Sequence, residues 1–376
     1  MNKFLNTNND LDLFEKDEYL KFDRLEDFYS INLSNQFRVL DLFCGCGGIS
    51  LGFKREGFEI VAGIDNDRDS LVTFKKNLDT KVFDFDLSKY TWKNNIFKNI
   101  DVLVGGPPCQ GFSLTGTRVK DDPRNKLYAA FLKAIDILNP KIVLIENVKG
   151  MSSLYNGEAS KRIQNELYEK NYFVSTKVLN SAFFGVPQIR ERFFIIACKK
   201  KQIYFPKEIL TSENFITTSE AISDLPSLEK SFGKEIMKYE SNERSIFQKI
   251  MRKSSNYIYN HVATKHKDFV VETIKQVPEG GNHKDLPKGV GESRKFNEAW
   301  TRYHGQKPSK TIDTGHRNHF HYKYNRVPTV RENARLQSFP DTFRFFGSKT
   351  SQNKQVGNAV PVFLAQSLAK YIKSKL

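Results

Sequence analysis

Apolar residues come in short runs, set apart by charged stretches of helical period. "FRVLDLF" (37–43) is apolar and β-branched with turn residues behind it, the pattern of a buried strand. "CGCGG" follows, then "ISLGFKREG", a short helix stopped by Gly57. "FEIVAGID" (58–65) and "NIDVLVGG" (99–106) read as further strands. "RNKLYAAFLKAIDILN" (124–139) is an amphipathic helix, "KIVLIENV" (141–148) a strand and "SKRIQNELYEKN" (160–171) a helix. "YFVSTKVLN" (172–180) and "RERFFIIAC" (190–198) close the series. Strands alternating with helices predict an α/β fold: a doubly wound, mostly parallel, Rossmann-like sheet.

After Cys198 the alternation stops. Residues 199–328 are basic, aromatic and irregular, as in "PEGGNHKDLPKGVGE". Regularity returns at "TVRENARLQS" (329–338), where Thr329 and Glu332 have capping-box spacing. In "NAVPVFLAQSLAKYIKS" (358–374), Val360, Phe363, Leu364, Leu368, Tyr371 and Ile372 fall on one helical stripe. The expected organisation is a charged extension over 1–36, an α/β domain built from 37–200 and 350–376, and a smaller irregular domain over 201–349.

Length and charge add to this picture. A chain of 376 residues, 39% hydrophobic, has enough for two domains and a proper core. No apolar run reaches the roughly 18 residues a membrane span needs, and the polar N-terminus lacks a secretory apolar core. Four cysteines are too few for a disulfide scaffold and suit a reducing cytosol, so a cytoplasmic location is expected. Net charge is +16, and residues 1–36 hold eight acids and four bases, which leaves +20 on the rest. A body that basic fits a polyanionic partner, although a basic protein with no such partner has similar charge.

Four stretches carry candidate chemistry. "DLFCGCGG" (41–48) is a strand, a glycine turn and a helix start, with Asp65 20 residues beyond Gly45. Such a turn lets a ligand approach backbone N–H groups, and the carboxylate can accept ribose hydroxyls. The dinucleotide pattern would need glycine at position 50, which is Ser50, so a smaller adenosine cofactor fits better than NAD. "GGPPCQGFS" (105–113) leaves a strand through two glycines and two prolines and presents Cys109. Cysteine is usually a small buried hydrophobe, but this frame is poor core material and holds a thiol stiffly as a nucleophile. "ENV" (146–148) brings Glu146 out of the apolar "KIVLI" at the same sheet edge, where burial raises a carboxyl pKa. It could equally be a structural cap. "QIRER" (188–192) places Gln188, Arg190 and Arg192 on one face by alternation, unless that face is only solvated charge.

In order, "DLFCGCGG", "GIDND", "GGPPCQGFS", "ENV", "QIRERFFIIA", "RENARLQSFP" and "QVGNAVP" resemble the motifs of the C5-cytosine DNA methyltransferases of bacterial restriction–modification systems. The resemblance spans 39–198 and 326–373. It implies methyl transfer from S-adenosylmethionine to C5 of a cytosine flipped out of duplex DNA, with Cys109 adding covalently to C6. It assigns Glu146 to N3 and the exocyclic amine, Arg192 to O2, and Arg190 to electrostatic support. For the cofactor it implies Phe43, Gly45, Cys46 and Gly48 in the glycine turn, then Asp65 and Asn66 at the ribose. Asp86 (with Asp84 as the close alternative) and Leu87 belong to the adenine end, and Pro107, Leu127, Asn358 and Val360 complete the pocket.

The resemblance makes the irregular block a target-recognition region and places the chain's C-terminal helix beside the first strand. Its expected DNA contacts are Ser113 and Arg118 after the cysteine, and Arg302, Lys310, Thr311 and Arg317 in the block. Lys307 and Lys323 stand nearby. His316, His319 and His321 are expected to face DNA rather than bind a metal, because the block holds no cysteine. The implied enzyme is a monomer, with double-stranded DNA as substrate and a cognate restriction endonuclease as functional partner. Similar enzymes methylate tRNA, but their recognition region is smaller and carries a cysteine signature that 199–328 lacks. An inactive nucleic-acid binding module would have a damaged Cys, Glu or cofactor turn, and all three are intact.

Overall fold

The computed structural model describes residues 36–89, 97–108, 125–154, 157–290, 299–315 and 318–376. Arg38–Leu42 (β1) is buried at every position, because layers cover both faces of the sheet. Its side chains alternate: Leu40 and Leu42 enter one core, while Val39 enters the other. Helices α1 (Gly48–Arg55) and α2 (Arg68–Leu78) cover the Val39 face through Phe53, Leu71 and Phe74. The opposite face is covered by α3 (Asn125–Leu138) and α4 (Glu158–Glu169) through Phe131, Ile163 and Leu167.

The remaining strands are β2 (Glu59–Asp65), β3 (Lys81–Asp84), β4 (Val102–Gly105), β5 (Ile142–Val148), β6 (Phe173–Asn180) and β7 (Glu191–Cys198). They form one seven-stranded sheet in the order β3-β2-β1-β4-β5-β7-β6. β3, β2, β1, β4 and β5 run parallel, whereas β7 is antiparallel to both β5 and β6. The reversal has a chemical consequence. β7 starts where β5 ends, so Arg192 lies opposite Val148 and the arginines of "RER" reach the edge where the parallel strands finish.

The irregular block contains short elements: α5 (Thr218–Ile222), β8 (Gly233–Met237), α6 (Ile246–Arg252), β9 (Ile258–Val262) and α7 (Asp268–Gln276). β8 and β9 form an antiparallel pair, and β10 (Thr301–Arg302) pairs with β11 (His319–Phe320) in parallel. α8 (Val330–Leu336), α9 (Lys349–Asn358) and α10 (Val362–Lys373) follow. A third core joins Ile222, Phe247, Tyr303, Leu336 and Phe343 to Val356 and Val362. At its centre the fully buried Arg335 is neutralised by the carboxylates of Asp224 and Asp341. α10 packs on α1 and shares the core of Val39 through Leu364 and Leu368, so the last helix lies against the layer that begins with β1.

The capping box at α8 forms as its spacing predicts: Thr329 Oγ1 accepts from Glu332 N, and Glu332 Oε2 accepts from Thr329 N. Two buried histidines brace it. His261 Nδ1 lies 2.8 Å from Thr329 Oγ1 and its Nε2 2.9 Å from Pro226 O. His321 Nδ1 accepts from Lys323 N and Tyr324 N, so a proton added there breaks both bonds. Burial lowers the pKa of His261 to about 4 and that of His321 to about 3. Folded-state values below the ordinary 6.5 mean that stability present above pH 6.5 is lost as pH falls through that window. The loss is up to about 1.4 kcal/mol per unit per histidine. Urea midpoints measured between pH 7 and 5 are expected to fall, and His261→Gln to flatten that fall. An unchanged slope in the variant overturns the assignment.

Candidate active site

A single cavity of about 820 Å³ runs along the edge where β1, β2, β4 and β5 end. At one end lies the glycine turn after β1. Gly45 has φ +51° with open space where a Cβ would stand, so this stretch of backbone is bare toward the cavity. Gly48 starts α1 directly against the carbonyl of Val360, and any side chain there would strike that oxygen. Phe43, at φ 58°, lines the cavity with Gly45, Cys46 and Gly48. The thiol of Cys46 donates to Gln355 O, and burial pushes its pKa to about 12, so it stays protonated.

Asp65 ends β2. One of its oxygens accepts from Gly45 N at 2.8 Å, and the other accepts from Asn66 N and Asp67 N at 2.8 and 3.0 Å. The carboxylate is therefore fixed by the glycine turn it faces. Burial raises its pKa, while those three backbone bonds hold it down. Asn66, Leu87, Leu127, Asn358 and Val360 share the wall. Asp86 does not: its carboxylate accepts from Ser88 N and Oγ and caps the turn after β3. Asp84 pairs with Arg68 at 2.7 Å, so Phe85 and Leu87 are what this segment shows the cavity.

At the other end, the buried run Ile142–Ile145 carries Glu146 to the edge. Its carboxylate lies 3.2 Å from Arg192 Nε. Burial raises the Glu146 pKa, opposed by the charges of Arg192 and Arg190. Asn147 donates to Pro107 O at 2.9 Å and so ties the Pro-Pro turn to β5. Arg190 is 1% exposed and donates to Ile312 O and Gly357 O at 3.2 and 2.8 Å. Burial lowers its pKa to about 9. The cavity thus joins a backbone-lined pocket with a fixed carboxylate to a carboxyl–guanidinium pair suited to the edge of a polar heterocycle.

Of the residues expected in the site, Cys109, Ser113, Arg118, His316 and Arg317 lie outside the described residues. Thr311 lines the cavity, its hydroxyl bonded to Ile189 O, and Lys310 is exposed beside it. Arg302 is a correction. It is 5% exposed, and its guanidinium donates to the carbonyls of Val277, Ile274 and His321, so it knits the block together instead of meeting phosphate. His319 and His321 are corrected likewise: both are buried, and neither faces outward. Among the described residues, no group of three or more His, Cys, Asp or Glu is placed to hold a metal. Asp67 and Lys354 line the cavity and pair at 2.9 Å, a link across 287 positions that no local pattern announces.

The C-5 cytosine-specific DNA methylase family model matches residues 37–374. The chain is 37% identical over 346 residues to the type II methyltransferase M1.HphI of Haemophilus parahaemolyticus, covering 89% of this chain and 86% of that one. It is 36% identical over 367 residues to M.DdeI of Desulfomicrobium norvegicum, with 89% and 88% covered. A crystal structure of an E. coli prophage protein described as a DNA modification methyltransferase superposes with TM-score 0.72 at 28% identity, covering 90% of this chain and 99% of that one. A Spodoptera frugiperda DNMT2 mutant shares the fold at TM-score 0.60 and 17% identity, with 90% and 100% covered. The order of motifs, the site they build and the match along nearly the whole chain converge: this protein belongs to the C-5 cytosine-specific DNA methylases.

Proposed function

We propose that the protein is the modification enzyme of a type II restriction–modification system. It would methylate C5 of one cytosine in a short duplex sequence and protect that sequence from a cognate endonuclease. The observation that carries this reading is the continuity of the cavity from the Asp65 end to the Glu146–Arg192 end. A donor bound at one end faces a base bound at the other. The type II naming of relatives with similar length and coverage supports the biological role.

The donor pocket fits S-adenosylmethionine, because the bare turn at Gly45 and the fixed carboxylate of Asp65 suit an adenosine with a ribose diol. Phe43, Asn66, Leu87, Asn358 and Val360 would hold it; when bound it supplies an electrophilic methyl group. This chain's residues then act on the base. The Cys109 thiolate adds to C6, and the ring electrons move toward N3. The Glu146 carboxyl gives N3 a proton, so C5 becomes nucleophilic. Arg192 holds Glu146 and donates to O2. After methylation a base, such as a water molecule, takes the C5 proton; the C6–S bond breaks to restore the thiolate, and N3 returns its proton to Glu146. Swinging the base out of the duplex costs a few kcal/mol, and the body's +20 charge helps hold the flanking phosphates.

Duplex DNA with 5-fluorocytosine at the target tests the covalent step, since fluorine cannot leave as a proton. A denaturation-resistant protein–DNA adduct is expected by gel, dependent on the methyl donor and lost in Cys109→Ala. Full activity on ordinary DNA with no adduct on the fluorinated duplex overturns the covalent route.

A further inference from the structure

We propose that Gln188 and Gln337 are positioning residues that hold the base-side wall of the cavity at a fixed offset from its donor-side wall. They thereby govern methyl transfer rather than the binding of either substrate. The proposal rests on the covalent reading above.

Gln188 is 0% exposed and lies just ahead of β7. Its Oε1 accepts from Ile312 N at 3.0 Å. Its Nε2 donates to Leu336 O at 3.1 Å and to Gln337 Oε1 at 3.0 Å. Gln337, also 0% exposed, donates its Nε2 to Val356 O at 2.7 Å and to Ala359 O at 3.2 Å. Ile312 stands between Thr311 and Asp313 on the wall, its carbonyl held by Arg190 of the base side, and Val356–Ala359 brackets Gly357 and Asn358 on the donor wall. Two side chains therefore connect both walls through the end of α8.

The chemistry of the amides makes this link stiff. Both N–H groups of each amide are used, and each oxygen accepts one bond. Rotating the Gln188 amide by half a turn would set its NH2 against Ile312 N–H, so its orientation is forced. Buried amides are costly unless satisfied, and apolar side chains would fill the space without fixing the register. The segment they hold has no slack. Ser309 N donates to Pro187 O and Ser309 O accepts from Ile189 N, Arg190 bridges Ile312 O to Gly357 O, and a Cβ at Gly357 would strike Asp313 O. A slip in one wall thus passes to the other, and misplacement by about 1 Å between reacting groups costs about a hundredfold.

The test separates two reactions of the same enzyme. Exchange of the C5 hydrogen with solvent needs only the base side: the C6 adduct takes a solvent proton at C5 and releases the original one. Methyl transfer needs both walls in register. Gln188→Glu keeps the acceptor for Ile312 N but loses both donors, and Gln337→Met keeps the volume but loses every side-chain hydrogen bond. Melting curves first establish which variants fold. In folded variants, tritium release from [5-3H]cytosine duplex without cofactor is expected to stay within about threefold of the parent, as is S-adenosylhomocysteine affinity by calorimetry. Methyl transfer is expected to fall about 10- to 100-fold in kcat, with KM little changed. Equal loss of both reactions, loss of neither, or failure of both variants to fold overturns the positioning role. A parent that methylates DNA without any exchange instead overturns the covalent reading and this proposal with it. That outcome is distinct from a parent that exchanges while its variants lose both reactions together.

Discussion

Replacing Cys109 with alanine is expected to reduce methyl transfer to duplex DNA by on the order of a millionfold, the scale seen when a covalent nucleophile is removed. Without the sulfur, nothing adds to C6, and C5 of the aromatic ring stays a poor nucleophile. The sulfur's role is to bond C6 and not to hold duplex or donor, so affinity for duplex and for S-adenosylhomocysteine should stay close to that of the parent. Single-turnover transfer of a tritiated methyl group, with filter binding alongside, measures both. Retention of more than about a thousandth of the parent rate sinks the nucleophile assignment.

Glu146→Gln is the second large effect, a fall of about 10²–10⁴-fold in kcat. The amide keeps a donor in the same place but cannot deliver a proton to N3 as charge builds on the ring. It also leaves Arg192 Nε without its carboxylate at 3.2 Å. The direction of the pKa gives this result a pH signature. Burial raises the Glu146 pKa, so the carboxyl keeps its proton to a higher pH than a surface glutamate does. kcat/KM should therefore fall as pH rises through that raised value, and Glu146→Gln should abolish this alkaline limb while lowering the plateau. A variant that keeps the limb shows that another group titrates there.

Much of the catalytic layer was legible because it is written in long buried runs. "FRVLDLF", "FEIVAGID" and "KIVLIENV" are covered on both faces, so nearly every position is apolar and the charged residue that ends a run stands out. β3 escaped because "KVFD" is four residues long with charged ends. The reversal of β7 was also hidden, since alternation reveals which face a residue takes but not the direction of its strand. α9, "KTSQNKQVGN", shows almost no apolar stripe; it is held by polar side chains such as Gln352 and Gln355, which bond to backbone carbonyls at 347 and 346. In the irregular block, counting basic residues misplaced Arg302. An arginine that binds carbonyls inside a fold cannot be told from one that binds phosphate by composition alone. The partnership of Asp67 with Lys354 was invisible for the same reason as that of Gln188 with Gln337: each joins positions that only the finished fold brings together.

The placement of α10 against α1 bears on how the enzyme comes into being during translation. Asn358 and Val360, which face the glycine turn, emerge from the ribosome some 300 residues after β1. A nascent chain can assemble most of its central sheet long before then, yet its donor pocket stays open on one side. Methylating capacity therefore arrives late and at once, and fragments from broken messages or early stops carry DNA-binding charge without the means to mark DNA.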